Sequence, residues 1–96
     1  MEKEVLSVAI YEPLPGREED SLATMRDLFA ALSAGGYSRD RLFREGSHYL
    51  VFRYWKSEES RRAAQEDPAV LRCWARLAEQ IEIVKVYERL EDTGLR

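Results

Sequence analysis

The order in which two kinds of hydrophobic pattern follow one another constrains this chain more than any other feature. Short runs of β-branched and aromatic residues alternate with longer runs whose apolar residues recur three and four positions apart. Val5 to Tyr11 (VLSVAIY) has the first character, and Pro13-Leu14-Pro15-Gly16 interrupts it. Arg17 to Ala34 has the second. Leu22, Met25, Leu28, Phe29 and Leu32 fall on one side of a helix, and Glu18, Glu19 and Asp20 stand in its first turn, where the helix dipole favours anions. Gly35-Gly36 stops it, because glycine takes the left-handed conformation without a Cβ clash. Arg39 to Glu45 is a weaker strand, joined through Gly46-Ser47 to His48 to Trp55 (HYLVFRYW), the strongest strand pattern in the chain. Ser57 is suited to cap a short helix reaching Glu66. Asp67-Pro68 opens another helix, with Asp as N-cap and proline where its missing N–H costs nothing; Val70, Leu71, Trp74, Leu77 and Ala78 share one face of it. Ile83 to Leu90 is the last strand, and Glu91 to Arg96 a frayed tail.

The predicted order is β-α-β-β-α-β, with the second helix in two pieces. That is the split βαβ, or ferredoxin-like, arrangement: an α+β fold with a four-stranded antiparallel sheet and its helices on one face. The 96 residues have room for one domain, residues 1–96, and at 45% apolar residues they can build one core. No apolar run approaches the roughly 18 residues of a membrane span. Met1-Glu2-Lys3-Glu4 has no basic leader character, and the lone cysteine, Cys73, cannot form an internal disulfide. A cytoplasmic setting is therefore expected. A net charge of −3 argues against nucleic acid or an anionic membrane as partner. With one histidine and one cysteine there is no ligand set for structural zinc, and no glycine-rich phosphate loop occurs.

Alternate residues of a strand face opposite sides of the sheet. The sequence assigns Leu6, Val8, Ile10, Leu50, Phe52, Val84, Val86 and Leu90 to the helix-covered side. Val5, Ser7, Ala9, Tyr11, Tyr49, Val51, Arg53, Trp55, Ile83, Lys85 and Tyr87 then fall on the open side. That side keeps several aliphatic and aromatic residues, enough to mark a binding surface, and its simplest cover is a second copy of the same sheet. A slip of one residue in the alternation would exchange the two sides.

The strand ending Tyr54-Trp55, the following Lys56-Ser57-Glu58-Glu59, the helix broken before Asp67-Pro68-Ala69, and Pro13-Leu14-Pro15-Gly16 before an acidic helix together resemble the antibiotic biosynthesis monooxygenase family. The resemblance spans nearly the whole chain. It implies a homodimeric α/β barrel with a pocket between each sheet and its helices, or in the barrel interior. Heme-degrading members ligate iron through a His on the last helix, with an Asn on the first strand and a Trp on the preceding helix. Here the last helix has no His, Trp74 stands about where the ligand would be, Ser7 takes the place of the Asn, and Ala64 falls near the Trp position. No cofactor and no metal are therefore expected. Quinone-forming members oxidise polycyclic aromatics without metal or flavin: the deprotonated substrate itself gives an electron to oxygen. Their strand-closing Trp maps onto Trp55, whereas the Asn residues they use have no counterpart, since the chain contains no Asn.

Five side chains are candidates for a catalytic site. Trp55 can floor a pocket or wedge the strand–helix junction. Tyr11 and Tyr87 can each donate to a ligand oxyanion or anchor an interface. Arg53, in mid-strand, must pair, with Glu45 as one partner, or bind an anion. His48 can act as a general base or sit exposed beside its turn. Two readings follow: a small cofactor-independent monooxygenase acting on an aromatic or polyketide-like substrate, or a non-catalytic homodimer that binds a small apolar ligand or is structural. RNA-binding domains share the element order, but the chain lacks their R-G-F-G motif and their basic surface.

Overall fold

The computed structural model describes residues 3–96; Met1 and Glu2, which entered the reading of the N-terminus, lie outside the described residues. The elements follow the order β1 (Val5–Pro13), α1 (Glu18–Ala34), β2 (Ser38–Glu45), β3 (His48–Trp55), α2 (Glu58–Ala64), α3 (Pro68–Ala78) and β4 (Ile81–Leu90). They form one antiparallel sheet of order β2-β3-β1-β4. The ferredoxin-like expectation therefore holds. Three boundaries move outward from the sequence reading, at the end of β1 and the starts of β2 and β4, and two move inward, at the start of α1 and the end of α2, each by one or two residues. Among the described residues no helix is long and apolar enough to cross a membrane.

Local chemistry accounts for the turns and helix ends. Ser57 caps α2 by accepting from the Ser60 amide at 3.0 Å. Asp67 caps α3 by accepting from the Ala69 amide at 2.9 Å, and its other oxygen accepts from the Tyr37 hydroxyl at 2.8 Å. That one carboxylate thus ties the start of β2 to α3. Gly36 has φ +70°, and a Cβ at Gly35 would run into the Tyr37 ring, so both glycines of the stop are required by geometry.

The core lies between α1, α3 and the sheet, with Leu28, Leu32 and Val70 fully enclosed. On α3 the inward residues are Val70, Cys73 and Leu77; Leu71, expected inside, is 44% exposed and the small thiol of Cys73 takes the inner position instead. On α1 the inward face includes Ser21 and Thr24 beside Met25, Leu28 and Leu32. Both hydroxyls are satisfied: Ser21 donates to the Glu18 carbonyl and Thr24 to the Asp20 carbonyl. Hydrogen bonds back to the preceding turn remove the usual cost of burying them.

The two sides of the sheet are exchanged relative to the sequence reading. Tyr11, Tyr49, Val51 and Trp55 lie under the helices in the core, and Arg53 shares their face. Leu6, Ile10, Leu50 and Phe52 are on the uncovered side, with Phe43 of β2. Val8 also lies there, yet it is buried, flanked by its neighbours Phe52 and Tyr87. In β4 the alternation is broken by irregularities. Val84 is skipped between the pairs Ile10–Lys85 and Tyr11–Ile83, and a second shift lies between Leu6 and Val8. Ile83 and Val86 consequently pair with the helix-side residues Tyr11 and Ala9, whereas Lys85, Tyr87 and Leu90 pair on the open side. Strict alternation placed Ile83 and Leu90 on the wrong sides because it contained no bulge.

Two measurements check this account. Leu32→Ala removes a fully enclosed side chain and is expected to cost about 2–5 kcal/mol in urea unfolding, while Leu71→Ala stays within about 0.5 kcal/mol. The hydrogen bond from Tyr37 and the amide of Ala69 hold the Asp67 carboxyl below its ordinary value of 3.8. A carboxyl depressed in the folded state stabilises above its unfolded value and loses that contribution as pH falls through its folded one. The urea midpoint should therefore drop below pH 3.8, and Asp67→Asn should flatten this part of the profile.

Candidate functional site

The site is built on the helix-covered side of β1 and β3. In register across the two strands are the pairs Tyr11–Tyr49, Ala9–Val51, Ser7–Arg53 and Val5–Trp55. Ala9–Val51 is the one pair of this series in which both members are small. Large side chains stand on both sides of them, so a hollow opens over the middle of the sheet. It is a cavity of about 400 Å³, roofed by Met25 and Leu28 of α1 and by Trp74 and Leu77 of α3, and rimmed by Ile81 and Ile83. Its size is that of a site for a small organic molecule. A second hollow of about 190 Å³ continues towards Ser7, Trp55, Arg61, Gln65 and Glu88. Ala9, Val51, Arg53 and Trp74 line both, so the two form one trough with Arg53 between them.

At one end of the trough the Tyr11 ring stacks on Tyr49, with centroids 5.3 Å apart. The Tyr49 hydroxyl donates to Glu18 at 2.5 Å. The Tyr11 hydroxyl is buried and has no hydrogen-bond partner. Burial, with a smaller contribution from Tyr49, pushes its pKa up to about 12. Tyr11 is thus a neutral phenol with its donor unused, which is uncommon for a buried hydroxyl.

Between the two hollows Arg53 donates from Nε to Asp40 of β2 at 3.1 Å. Asp40 also accepts from Ser38, at 3.1 Å. The partner is therefore Asp40, the residue opposite Arg53 in the β2–β3 register, and not Glu45, which pairs with His48 at the hairpin. The pair is deeply placed, with side-chain exposures of 13% for Arg53 and 2% for Asp40. Burial pushes the Asp40 carboxyl up, against the pull of Arg53 and Ser38. Burial likewise lowers Arg53, opposed by Asp40. A guanidinium nevertheless keeps its proton throughout the accessible pH range. It lies 5.5 Å from the centroid of the Trp55 ring. Trp55 itself donates from Nε1 to Ser7 Oγ at 3.1 Å, and Ser7 donates to the Glu88 carbonyl. That chain of bonds orients the indole along the trough and ties β3 to β4 across β1.

Of the five sequence candidates, Tyr11, Trp55 and Arg53 are brought together. Tyr87 lies on the opposite side of the sheet, 44% exposed. His48 sits at the hairpin, its Nε2 3.8 Å from Glu12. Neither reaches the trough, because Tyr87 belongs to the other face of β4 and His48 to the end of β3. The sequence placed Trp74 on the apolar face of α3 and where an iron ligand would stand; its place as the roof of the cavity depends on how α3 lies over the sheet. Asp40 gave no sequence signal beyond its position in a weak strand. No group of three or more His, Cys, Asp or Glu suited to a metal occurs among the described residues.

Removing one member of the Asp40–Arg53 pair strands a charge in the core. Arg53→Met alone is expected to destabilise by about 3–5 kcal/mol, whereas adding Asp40→Leu restores most of the loss, read as a non-additive cycle in urea unfolding.

No family model matches the chain, and no curated protein does either. Solved structures match it along its length. SnoaB, a cofactor-independent oxygenase from Streptomyces nogalater, is 16% identical, with a TM-score of 0.78 over 96% of this chain and 98% of that one. A candidate antibiotic biosynthesis monooxygenase from Chloroflexus aurantiacus J-10-fl is 14% identical, with a TM-score of 0.79 over 98% of both chains. Another from Bacteroides thetaiotaomicron VPI-5482 reaches a TM-score of 0.81 at 10% identity, over 98% and 95% of the two chains. In fold and in extent, the chain is thus matched by structures that carry the name antibiotic biosynthesis monooxygenase, as the resemblance in its sequence leads one to expect.

Proposed function

We propose that this chain is a small monooxygenase of the antibiotic biosynthesis type, acting on an aromatic or polyketide-like substrate in the trough between sheet and helices. The observation that carries this reading is the apolar cavity of about 400 Å³ over the sheet, lined by Ala9, Met25, Leu28, Val51, Trp74 and Leu77 and walled at one end by the Tyr11 ring. Such a cavity suits a flat apolar ring system. An aromatic with an acidic ring CH₂ beside a carbonyl gives up one proton to become an enolate. Electron transfer from the enolate to O₂, radical recombination and loss of water convert the CH₂ to a carbonyl, with one oxygen atom retained and the other leaving as water. The chain's part is to hold the ring, to stabilise the enolate oxygen and to accept a proton. Tyr11 is kept neutral by burial, with its pKa at about 12, and its hydroxyl, closed off from the empty cavity, becomes a donor to that oxygen when the ligand uncovers it. Trp55 and Trp74 provide apolar surfaces in the trough.

The same reading makes the protein a homodimer through the open side of the sheet. Leu6, Ile10, Leu50, Phe52, Tyr87 and Leu90 form a continuous apolar surface on that side, and the last two are more than 40% exposed. A patch of this kind on a small chain calls for a self-complementary cover.

Incubation with anthrone-like and hydroquinone-like aromatics under an oxygen electrode tests the activity. Uptake is expected with wild type, with a loss of about ten- to hundredfold in kcat for Tyr11→Phe and unchanged thermal unfolding. Absence of uptake across the panel, or equal uptake by Trp55→Ala, rejects it in favour of a ligand-binding barrel. Sedimentation tests the assembly: wild type should run as a dimer and Phe52→Glu as a folded monomer.

A further inference from the structure

We infer that the ligand of the trough is an aromatic acid, held by a carboxylate at Arg53 with its ring body over Ala9 and Val51. The inference rests on the trough being the ligand site, as proposed above, and not on turnover.

Arg53 carries more hydrogen-bonding capacity than the protein uses. A guanidinium has five N–H donors in a planar fork. Here Nε alone is engaged, by Asp40. The two terminal amino groups have no acceptor among the described residues, yet they are not shut away, since neither is a buried unsatisfied atom. Arg53 lies on the helix-covered face and lines both hollows of the trough, so its free edge is presented there. Asp40 holds the group from the β2 side, and Trp55 lies against it at 5.5 Å. The fork is therefore fixed before any ligand arrives, which favours binding of a planar two-oxygen anion. A cation whose only role was to neutralise Asp40 would not need to reach both hollows.

The spacing gives the ligand its shape. Arg53 is opposite Ser7 in the register, four positions from Tyr11 on the same face of the sheet. That is about 13 Å along the strand. Between the two ends the floor is the small pair Ala9–Val51, and the roof over it is Met25, Leu28 and Trp74. A fused-ring aromatic fills this length, with its acid group at Arg53 and any enolisable oxygen at the Tyr11 end.

Two probes of one shape and size, 2-naphthoic acid and 2-naphthamide, separate charge from apolar fit. By isothermal titration calorimetry at pH 7, wild type is expected to bind the acid at least about tenfold more tightly than the amide, the increment of a charge-assisted bidentate contact. Arg53→Gln alone would leave Asp40 unpaired, so the comparison uses the double variant Asp40→Asn/Arg53→Gln, its folding verified by thermal unfolding. There the acid-to-amide ratio should fall to about one with amide binding retained. Equal binding of the two probes by wild type, preference for the amide, a ratio preserved in the double variant, or no binding of either at millimolar concentration overturns the inference. Failure of oxygen uptake alone would reject the enzyme reading and leave this ratio standing.

Discussion

A β-strand offers only two faces, and in β1 and β3 both are apolar. This constraint organises the rest of the molecule. One face receives α1 and α3 and becomes the core; the other, with Leu6, Ile10, Leu50 and Phe52, has no helix of this chain to cover it. The helices cover a four-stranded sheet incompletely, and the trough lies where they leave it, rimmed by Ile81 and Ile83. A sheet this size with one polar face would need no partner. A sheet with larger residues at positions 9 and 51 would have no cavity, because the jigsaw packing of α1 and α3 would close over it.

Polar groups in the trough are few, and each has a defined place. Arg53 is fixed by Asp40, and Trp55 by Ser7, which is bonded in turn to the Glu88 carbonyl. Tyr49 is engaged by Glu18. What remains unused is the Tyr11 hydroxyl, the second carboxylate oxygen of Asp40 and the outer edge of the Arg53 guanidinium. Burying an arginine and an aspartate for packing alone is a poor exchange, since an apolar pair of similar volume is as stable or more so. Their retention in the core is understandable if the guanidinium serves a ligand.

The element order was legible because it rests on local chemistry. Ser57 and Asp67 cap the helices that their side chains suggest, Pro68 occupies a first-turn position, and His48 to Trp55 is a strand from end to end. Arg53 was also identifiable, as a charge that must find a partner in an otherwise apolar strand, with Tyr11 as a phenol able to donate and Trp55 as the residue closing the third strand. The side of the sheet on which they act was not legible. Alternation divides a strand into two sets without saying which set meets the helices, and here hydrophobicity does not break the tie. The choice fell to the aliphatic Leu6, Val8 and Ile10, whereas the structure buries the set containing Ser7 and Arg53. It can do so because Trp55, Glu88 and Asp40 satisfy those groups. Tyr87 and His48 were drawn into the candidate site by residue type alone; the β4 bulge and the hairpin position keep them out of it.

The sequence by itself determined the succession of strands and helices, the caps, the stop at Gly35-Gly36 and the excess of apolar residues that a small sheet cannot hide with its own helices. Each of these depends on neighbours within a few positions, where dihedral preferences and hydrogen-bond valences act directly. Only the tertiary structure decided which face is covered, that Asp40 lies opposite Arg53, and that Ala9 and Val51 sit under Trp74 to leave a cavity. Those outcomes depend on contacts between strands and helices far apart in the chain, whose register and bulges are set by packing rather than by the local pattern.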